Sequence, residues 1–219
     1  MKLTIAYLYY DLLNLCGENG NIKVLKSILK DKADIKYLTI DDKKEFEKYD
    51  LVYIGHGINE NVKLALNDLK QYKNDIEKYI ENNKFFISTG SSYEMFGKKI
   101  DDVEALNIFD YSSKTFEKNE VFEVNAFVDD CSSTIVGIIN RTSSNDNKKN
   151  YFLSINEGIK YKNFIGTYLL GPLLVRNPEF LENLIKKLTK NPDYKLENKF
   201  AINAYNDTLA RKKYKKYKD

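Results

Sequence analysis

A chain of 219 residues is long enough to bury a sizeable core without disulfides or metals, and its size suits one α/β domain spanning 1–219. Its net charge of +3 is unevenly spread: six of 35 basic residues and one of 32 acidic ones fall in 211–219, leaving 29 against 31, or −2, elsewhere. A near-neutral body has no basic face to track a phosphate backbone, so nucleic acid is not an expected partner. Cys16 and Cys131 have neither the number nor the spacing for a disulfide framework or a metal site, and the single histidine, His56, leaves little general-base chemistry. No signal peptide is expected, because Met1-Lys2-Leu3-Thr4-Ile5 enters directly into a strand pattern, and no apolar run approaches about 20 residues. The expected location is the cytoplasm, without membrane insertion.

Lys2 to Tyr9 is a β-rich apolar run, followed by a polar loop with Asn14, Gly17, Asn19 and Gly20. Ile22, Leu25, Ile28 and Leu29 then recur at helical spacing, which predicts an amphipathic helix capped near Asn19 or Asn21. Ile35 to Ile40 and Asp50 to Gly55 read as further strands, the latter nearly continuous in apolar residues, as parallel strands buried on both faces are. One long helical stripe from Val62 to Ile80 follows, and Phe85 to Ile87 forms a fourth strand. Beyond it, strands are expected at Glu120 to Phe127, Thr134 to Ile139, Tyr151 to Ile155 and Asn163 to Thr167, with Thr142 to Asn150 an exposed loop. Pro178 opens a helix at the one turn where its missing N–H costs nothing. A last helix covers roughly Glu197 to Lys213, ending in the basic run 211–219. The β-α alternation predicts a doubly wound, largely parallel sheet with helices on both faces.

The stretch Lys84 to Gly97 has the form of a nucleophile elbow: a buried strand, a sharp turn through Gly90-Ser91-Ser92, then a short helix. An elbow presents one side chain above the carboxyl edge of a sheet, and here that place holds glycine. The run resembles the elbow of the class I glutamine amidotransferases. The resemblance is closest to the GatD-type, cobyric-acid-synthase-like subunits and spans almost the whole chain. It is carried by Leu13-Asn14-Leu15, Gly20-Asn21-Ile22, Gly55-His56-Gly57, Tyr93, Gly97-Lys98-Lys99, Thr134-Ile135-Val136-Gly137 with Asn140, and Gly166 to Pro172.

The resemblance implies a flavodoxin-like amidotransferase domain in which Gly90 stands at the nucleophilic cysteine's place and Leu170 at the catalytic histidine's. Thiolate attack on glutamine and protonation of departing ammonia both need those side chains. A cysteine-histidine glutaminase is therefore not expected. Around them, Ser91-Ser92 replaces the elbow's paired glycines, Glu94 stands where the family commonly has glutamine, and Arg141-Thr142-Ser143-Ser144 departs from the family's segment after Asn140. The remnant pocket, Gly55, His56, Gly57, Ser91, Ser92, Tyr93, Glu94, Asn140 and Arg141, is not expected to fit glutamine, and no cofactor or metal is implied. What the resemblance implies is a non-catalytic subunit partnered by a Mur-ligase-like protein of the MurT type. The alternative is an active glutaminase or a serine hydrolase with a displaced nucleophile, Ser91 or Ser92 with His56 as base.

Overall fold

The structure, a computed structural model, describes residues 2–128 and 133–210. Cys131, the end of the last expected helix and the basic run lie outside the described residues. Strands β1 (Leu3–Leu8), β2 (Ala33–Leu38), β3 (Leu51–Ile54) and β4 (Phe85–Thr89) follow the apolar runs. Two short hairpin strands come next, β5 (Lys99–Ile100) and β6 (Val103–Glu104), then the long pair β7 (Ser112–Val128) and β8 (Ser133–Asn145). Three further strands complete the set: β9 (Ile159–Tyr161), β10 (Phe164–Thr167) and β11 (Leu169–Leu170).

Six strands form one sheet in the order β2-β1-β3-β4-β10-β9, all pairs parallel except the β10–β9 edge. The central runs are buried on both faces, which is why Leu51, Val52, Tyr53 and Ile54 alternate with nothing polar. A second sheet, ordered β11-β8-β7-β5-β6, is mostly antiparallel. The largely parallel sheet expected from the sequence is thus built from the first half of the chain together with β10 and β9, which cross back to join it, β10 parallel to β4 and β9 antiparallel at the edge.

Helices α1 (Asn19–Leu29), α2 (Asn59–Leu69), α3 (Lys73–Glu81), α4 (Leu173–Arg176), α5 (Pro178–Thr189) and α6 (Lys199–Ala210) account for the remaining apolar stripes. The helix expected to start near Asn19 does so, with the Asn14 Oδ1 accepting the Asn19 N–H at 2.9 Å. The single long stripe from Val62 to Ile80 is two helices, broken by a 3-10 turn at Lys70–Tyr72. That turn sets the Tyr72 ring 5.9 Å from Phe46.

Two expectations after the elbow are corrected. Tyr151 to Ile155 makes only an isolated bridge, Leu153 to Glu157, because Asn150 and Asn156 take positive φ and turn the chain out of line. Thr142 to Asn145 is strand rather than loop, since β7 begins early enough to pair Ser113 with Asn145 and Thr115 with Ser143. Thr142 and Ser143 of this polar end line the cleft described below.

Two buried asparagines tie the layers together. Asn177 accepts from the Val136 N–H at 2.8 Å and donates to the Val136 and Leu173 carbonyls at 3.0 and 2.8 Å, fixing β8 to α4 and α5. Asn21 accepts from the Leu174 N–H at 2.7 Å, fixing α1 to α4 across 153 residues of sequence. Buried amides of this kind are satisfied at all but a few of their bonding positions, so each costs stability if truncated.

Candidate functional site

β4 ends at Thr89 and delivers Gly90 with φ +65°, at the start of a buried 3-10 helix, Gly90–Phe96. Across the carboxyl edge of the sheet, β3 ends and Gly55 passes so close to the Leu13 carbonyl that a Cβ there would lie 2.4 Å from it. This close passage leads His56 over Gly90. A Cβ at position 90 would sit 2.6 Å from both the Cβ and the Nδ1 of His56. The imidazole thus occupies the volume in which any side chain on residue 90 would begin.

The hydrogen bonds hold it there. The Ser91 N–H donates to His56 Nδ1 at 3.1 Å, so Nδ1 is the unprotonated nitrogen and the ring's proton is on Nε2. Burial pushes the imidazole pKa down to about 4, so the ring is neutral at physiological pH. In an elbow the N–H of the residue after the nucleophile serves as an oxyanion donor; here that N–H is taken by the ring. The Ser91 N–H and the space a side chain at position 90 would need are therefore both taken by the His56 ring.

Ser91 and Ser92 differ. The Ser91 hydroxyl lies 2.7 Å from the Gly57 carbonyl and 3.0 Å from His56 Nδ1, and it borders the cleft. It has one proton to give, and the Gly57 carbonyl is the nearer acceptor. Ser92 is fully buried, with its Oγ 2.9 Å from the Thr89 carbonyl and 2.8 Å from Ser88 Oγ, away from the cleft wall. Among the described residues no carboxylate bonds to His56.

The cleft in front of Gly90 measures about 420 Å³. Its far wall is the end of β8, with Asn140, Arg141, Thr142 and Ser143, together with Tyr168. Arg141 is held by Glu120, with Nε at 3.0 Å and Nη2 at 2.9 Å, and lies 4.9 Å from the centre of the Tyr168 ring. Asn140 Oδ1 accepts from Asn119 Nδ2 at 2.6 Å. Glu94 is buried behind this wall, where it accepts from the Ser143 hydroxyl and bonds Tyr168. Burial raises its carboxyl to about 7, which leaves it largely in the neutral form below that pH.

The remaining residues singled out from the sequence are separated from the cleft. Leu170 is buried in β11, paired with Ile138 of β8, and does not line the cleft. Tyr93 is fully buried against the Tyr111 and Tyr168 rings at 5.1 and 5.4 Å. Gly55 is a backbone contact rather than part of the cleft wall, whereas Gly57 and His56 are on that wall.

Two buried carboxyls had no signal in the sequence. Glu18 sits beneath the elbow and accepts from Tyr53 and Thr89, with its Oε1 unpartnered among the described residues. Desolvation raises it to about 8. Glu157 accepts from Thr167 Oγ1 at 2.8 Å and from the Tyr168 N–H at 2.6 Å, and burial raises it to about 7. Among the described residues no three His, Cys, Asp or Glu side chains converge as a metal site would require. Cys16 is exposed, and partial burial with nearby Glu18 pushes its thiol pKa up, the opposite of an activated nucleophile.

Known proteins share both the sequence and the architecture. The chain is 25% identical over 240 residues, covering 100% of this chain and 91% of the relative, to the lipid II isoglutaminyl synthase (glutamine-hydrolyzing) subunit GatD of Streptococcus pneumoniae (strain ATCC BAA-255 / R6). It is 29% identical over 224 residues, covering 90% and 89%, to the subunit of the same name in Staphylococcus aureus (strain N315). Among solved structures, a glutamine amidotransferase from Thermotoga maritima superposes with a TM-score of 0.55 at 13% identity, over 96% of this chain and 91% of that one. A second glutamine amidotransferase gives 0.58 at 12% identity, over 84% and 98%. At such identities the two structures speak for the fold alone. The signature of the CobB/CobQ-like glutamine amidotransferase domain matches residues 4–178, and the chain belongs to that family.

Proposed function

We propose that this protein is a GatD-like subunit that has lost glutamine hydrolysis and acts as the non-catalytic partner of a Mur-ligase-like protein of the MurT type in lipid II amidation. The observation that carries the loss is the seating of His56: its ring fills the space of a nucleophile at position 90 and takes the Ser91 N–H. Gly90 and Leu170 then stand as the degenerate positions of a cysteine-histidine couple. The kinship to subunits of lipid II isoglutaminyl synthase supports the pathway and, since those relatives are subunits, a partner.

Two measurements test this reading. Purified protein, alone or with the ligase-like chain, should release no ammonia from glutamine above the uncatalysed background. Turnover of ~1 per second, ordinary for an enzyme, would overturn the loss of activity. Co-expression with a Mur-ligase-like chain of the same organism should give one heterocomplex peak on size exclusion, and two separate peaks at micromolar concentration would sink the partnership.

A second reading has one observation in its favour, the 3.0 Å approach of Ser91 Oγ to His56 Nδ1. As a serine hydrolase the chain would react with a fluorophosphonate at Ser91. The occupied Ser91 N–H and the competing Gly57 carbonyl favour the non-catalytic reading.

A further inference from the structure

We propose that the β2 edge of the parallel sheet pairs with the β2 edge of a second copy of this chain, antiparallel and centred on Ile35. The six-stranded sheet has two edges, and the β9 edge is met by the Asn150 carbonyl, which accepts from the Lys160 N–H at 2.7 Å. At the other edge, β2 pairs among the described residues with β1 alone, over all six residues from Ala33 to Leu38. The second sheet ends in β11 and β6, of two residues each, which offer little to a further strand. A six-residue row of backbone groups with a neighbour on one side only is a template for another strand. Beside it Tyr37 and Tyr10 are 40% and 37% exposed, their ring centres 5.4 Å apart, an aromatic corner left facing water.

Charge complementarity says which strand fits. Alternation along β2 puts Asp34 and Lys36 on one face of the sheet and Ala33, Ile35 and Tyr37 on the other. The two charged side chains stand well out in solvent, with Lys36 Nζ 2.8 Å from Asp34 Oδ2. In an antiparallel pair centred on Ile35, residue 34 lies opposite residue 36 of the second copy. Asp34 then meets Lys36, and Lys36 meets Asp34, on the two sides of one two-fold axis. A two-fold contact has to be self-complementary, and in this register the strand is. On the other face Tyr37 lies opposite the small Ala33 and within diagonal reach of Ile35. Other registers lose this match. Centring the pair on Lys36 or on Asp34 sets a charge against its own copy, and a shift of one residue turns the charged face of one strand to the apolar face of the other. Charges on an edge ordinarily keep foreign strands away; here they admit one register of one partner. Six residues a side make a small contact, so the product is a weak, reversible dimer with one sheet running through both copies. The inference does not rest on the ligase-like partner proposed above.

The test is sedimentation equilibrium of the full-length protein alone, from ~10 to ~300 µM, a range suited to a small interface. The weight-average mass should climb from that of the monomer towards twice that value. Asp34→Lys sets lysines against each other at both opposed pairs and should weaken association at least about tenfold with an unchanged melting curve. Asp34→Lys combined with Lys36→Asp restores both pairs with the signs exchanged, and should return association to within about threefold of the parent. The register has its own readout in a Cys16→Ser, Cys131→Ser background. Ile35→Cys places two thiols directly opposite each other, ~5 Å apart between Cα atoms, and should give a covalent dimer on mild oxidation. Ala33→Cys leaves them about 13 Å apart along the strand and should not. A protein that stays monomeric throughout the range overturns the proposal, as does a dimer that Asp34→Lys leaves intact or that the exchanged pair fails to restore. Cross-linking at Ala33→Cys as fast as at Ile35→Cys overturns it too. So does a monomer whose Asp34→Lys form no longer joins the ligase-like chain, which would assign this edge to that partner instead. Self-association is read with no ligase present, so its failure and the failure of the heterocomplex are separate results.

Discussion

Gly90→Cys is expected to destabilise the protein by about 2–5 kcal/mol, the sum of forcing a side chain into positive φ and of overpacking the His56 ring. The backbone at 90 has φ +65°, and the new Cβ would start 2.6 Å from the imidazole. The ring cannot simply swing aside, because moving it frees the Ser91 N–H in a buried site. Combining Gly90→Cys with His56→Gly should recover the overpacking part, about 1–3 kcal/mol, and leave the cost of positive φ. Urea denaturation of the wild type, both single variants and the double variant gives the coupling directly. The Gly90→Cys, Leu170→His protein should stay inactive on glutamine, since His56 still fills the nucleophile's place and still occupies the Ser91 amide. A Gly90→Cys protein as stable as the parent would show that His56 does not seat on Gly90. Near-complete glutaminase activity in the Gly90→Cys, Leu170→His protein would show that the site had stayed open.

The second large effect is on pH dependence, through Glu18. Its folded-state pKa, about 8, lies well above the ordinary carboxyl value because the group is fully buried. For an acid raised in this way the folded state prefers the protonated form. The stabilisation is complete below the unfolded pKa and is lost as pH rises through about 8. Each tenfold change in an ionisation equilibrium is worth about 1.4 kcal/mol, so the loss amounts to a few kcal/mol between pH 5 and pH 9. Glu94 and Glu157, both raised to about 7 by burial, add to the same trend over a slightly lower range. Glu18→Gln keeps the shape of the side chain and cannot ionise. It should be close to neutral in stability at pH 5 and stabilising by a few kcal/mol at pH 9, read as a shift in the urea midpoint. A wild-type stability that is flat or rises from pH 5 to 9 would count against a neutral buried Glu18.

What the sequence disclosed, and what it did not, follows from how local each signal is. β1 to β4 were legible because strands buried on both faces are continuous apolar runs. The elbow was legible because its turn residues are contiguous. The second sheet was legible only in its apolar middle, Glu120 to Phe127 and Thr134 to Ile139, which lie within β7 and β8; the polar extensions of both strands were not. β7 keeps Glu117, Lys118, Asn119 and Glu120 in solvent, and β8 ends in Arg141, Thr142 and Ser143 because that end walls the cleft, so a polar stretch concealed a strand. The sequence brought His56 to the elbow only as a base for Ser91 or Ser92; its seating on Gly90 joins residues 34 apart through tertiary structure, and nothing in Gly55-His56-Gly57 announces that. Glu18 and Glu157 show the same limit more sharply. A glutamate in a polar stretch of sequence reads as solvated, and only the packing of Tyr53, Thr89, Thr167 and Tyr168 around these two puts them inside.

The placement of β10 beside β4 also governs how the chain can be made. In the finished sheet the Phe85–Thr89 strand is covered on one edge by β3 and on the other by Phe164–Thr167. During synthesis the second edge stays open until about 75 further residues have left the ribosome, because β5 to β8 of the second sheet come between the two partners in the chain. For that interval the nascent chain exposes the hydrogen-bonding edge of a strand with the sequence Phe85-Phe86-Ile87, the kind of edge that recruits strands from other chains. Asn21 meets its partner at Leu174 later still. A chain cut anywhere before β10 would therefore be left with an aggregation-prone half-sheet rather than a smaller working domain.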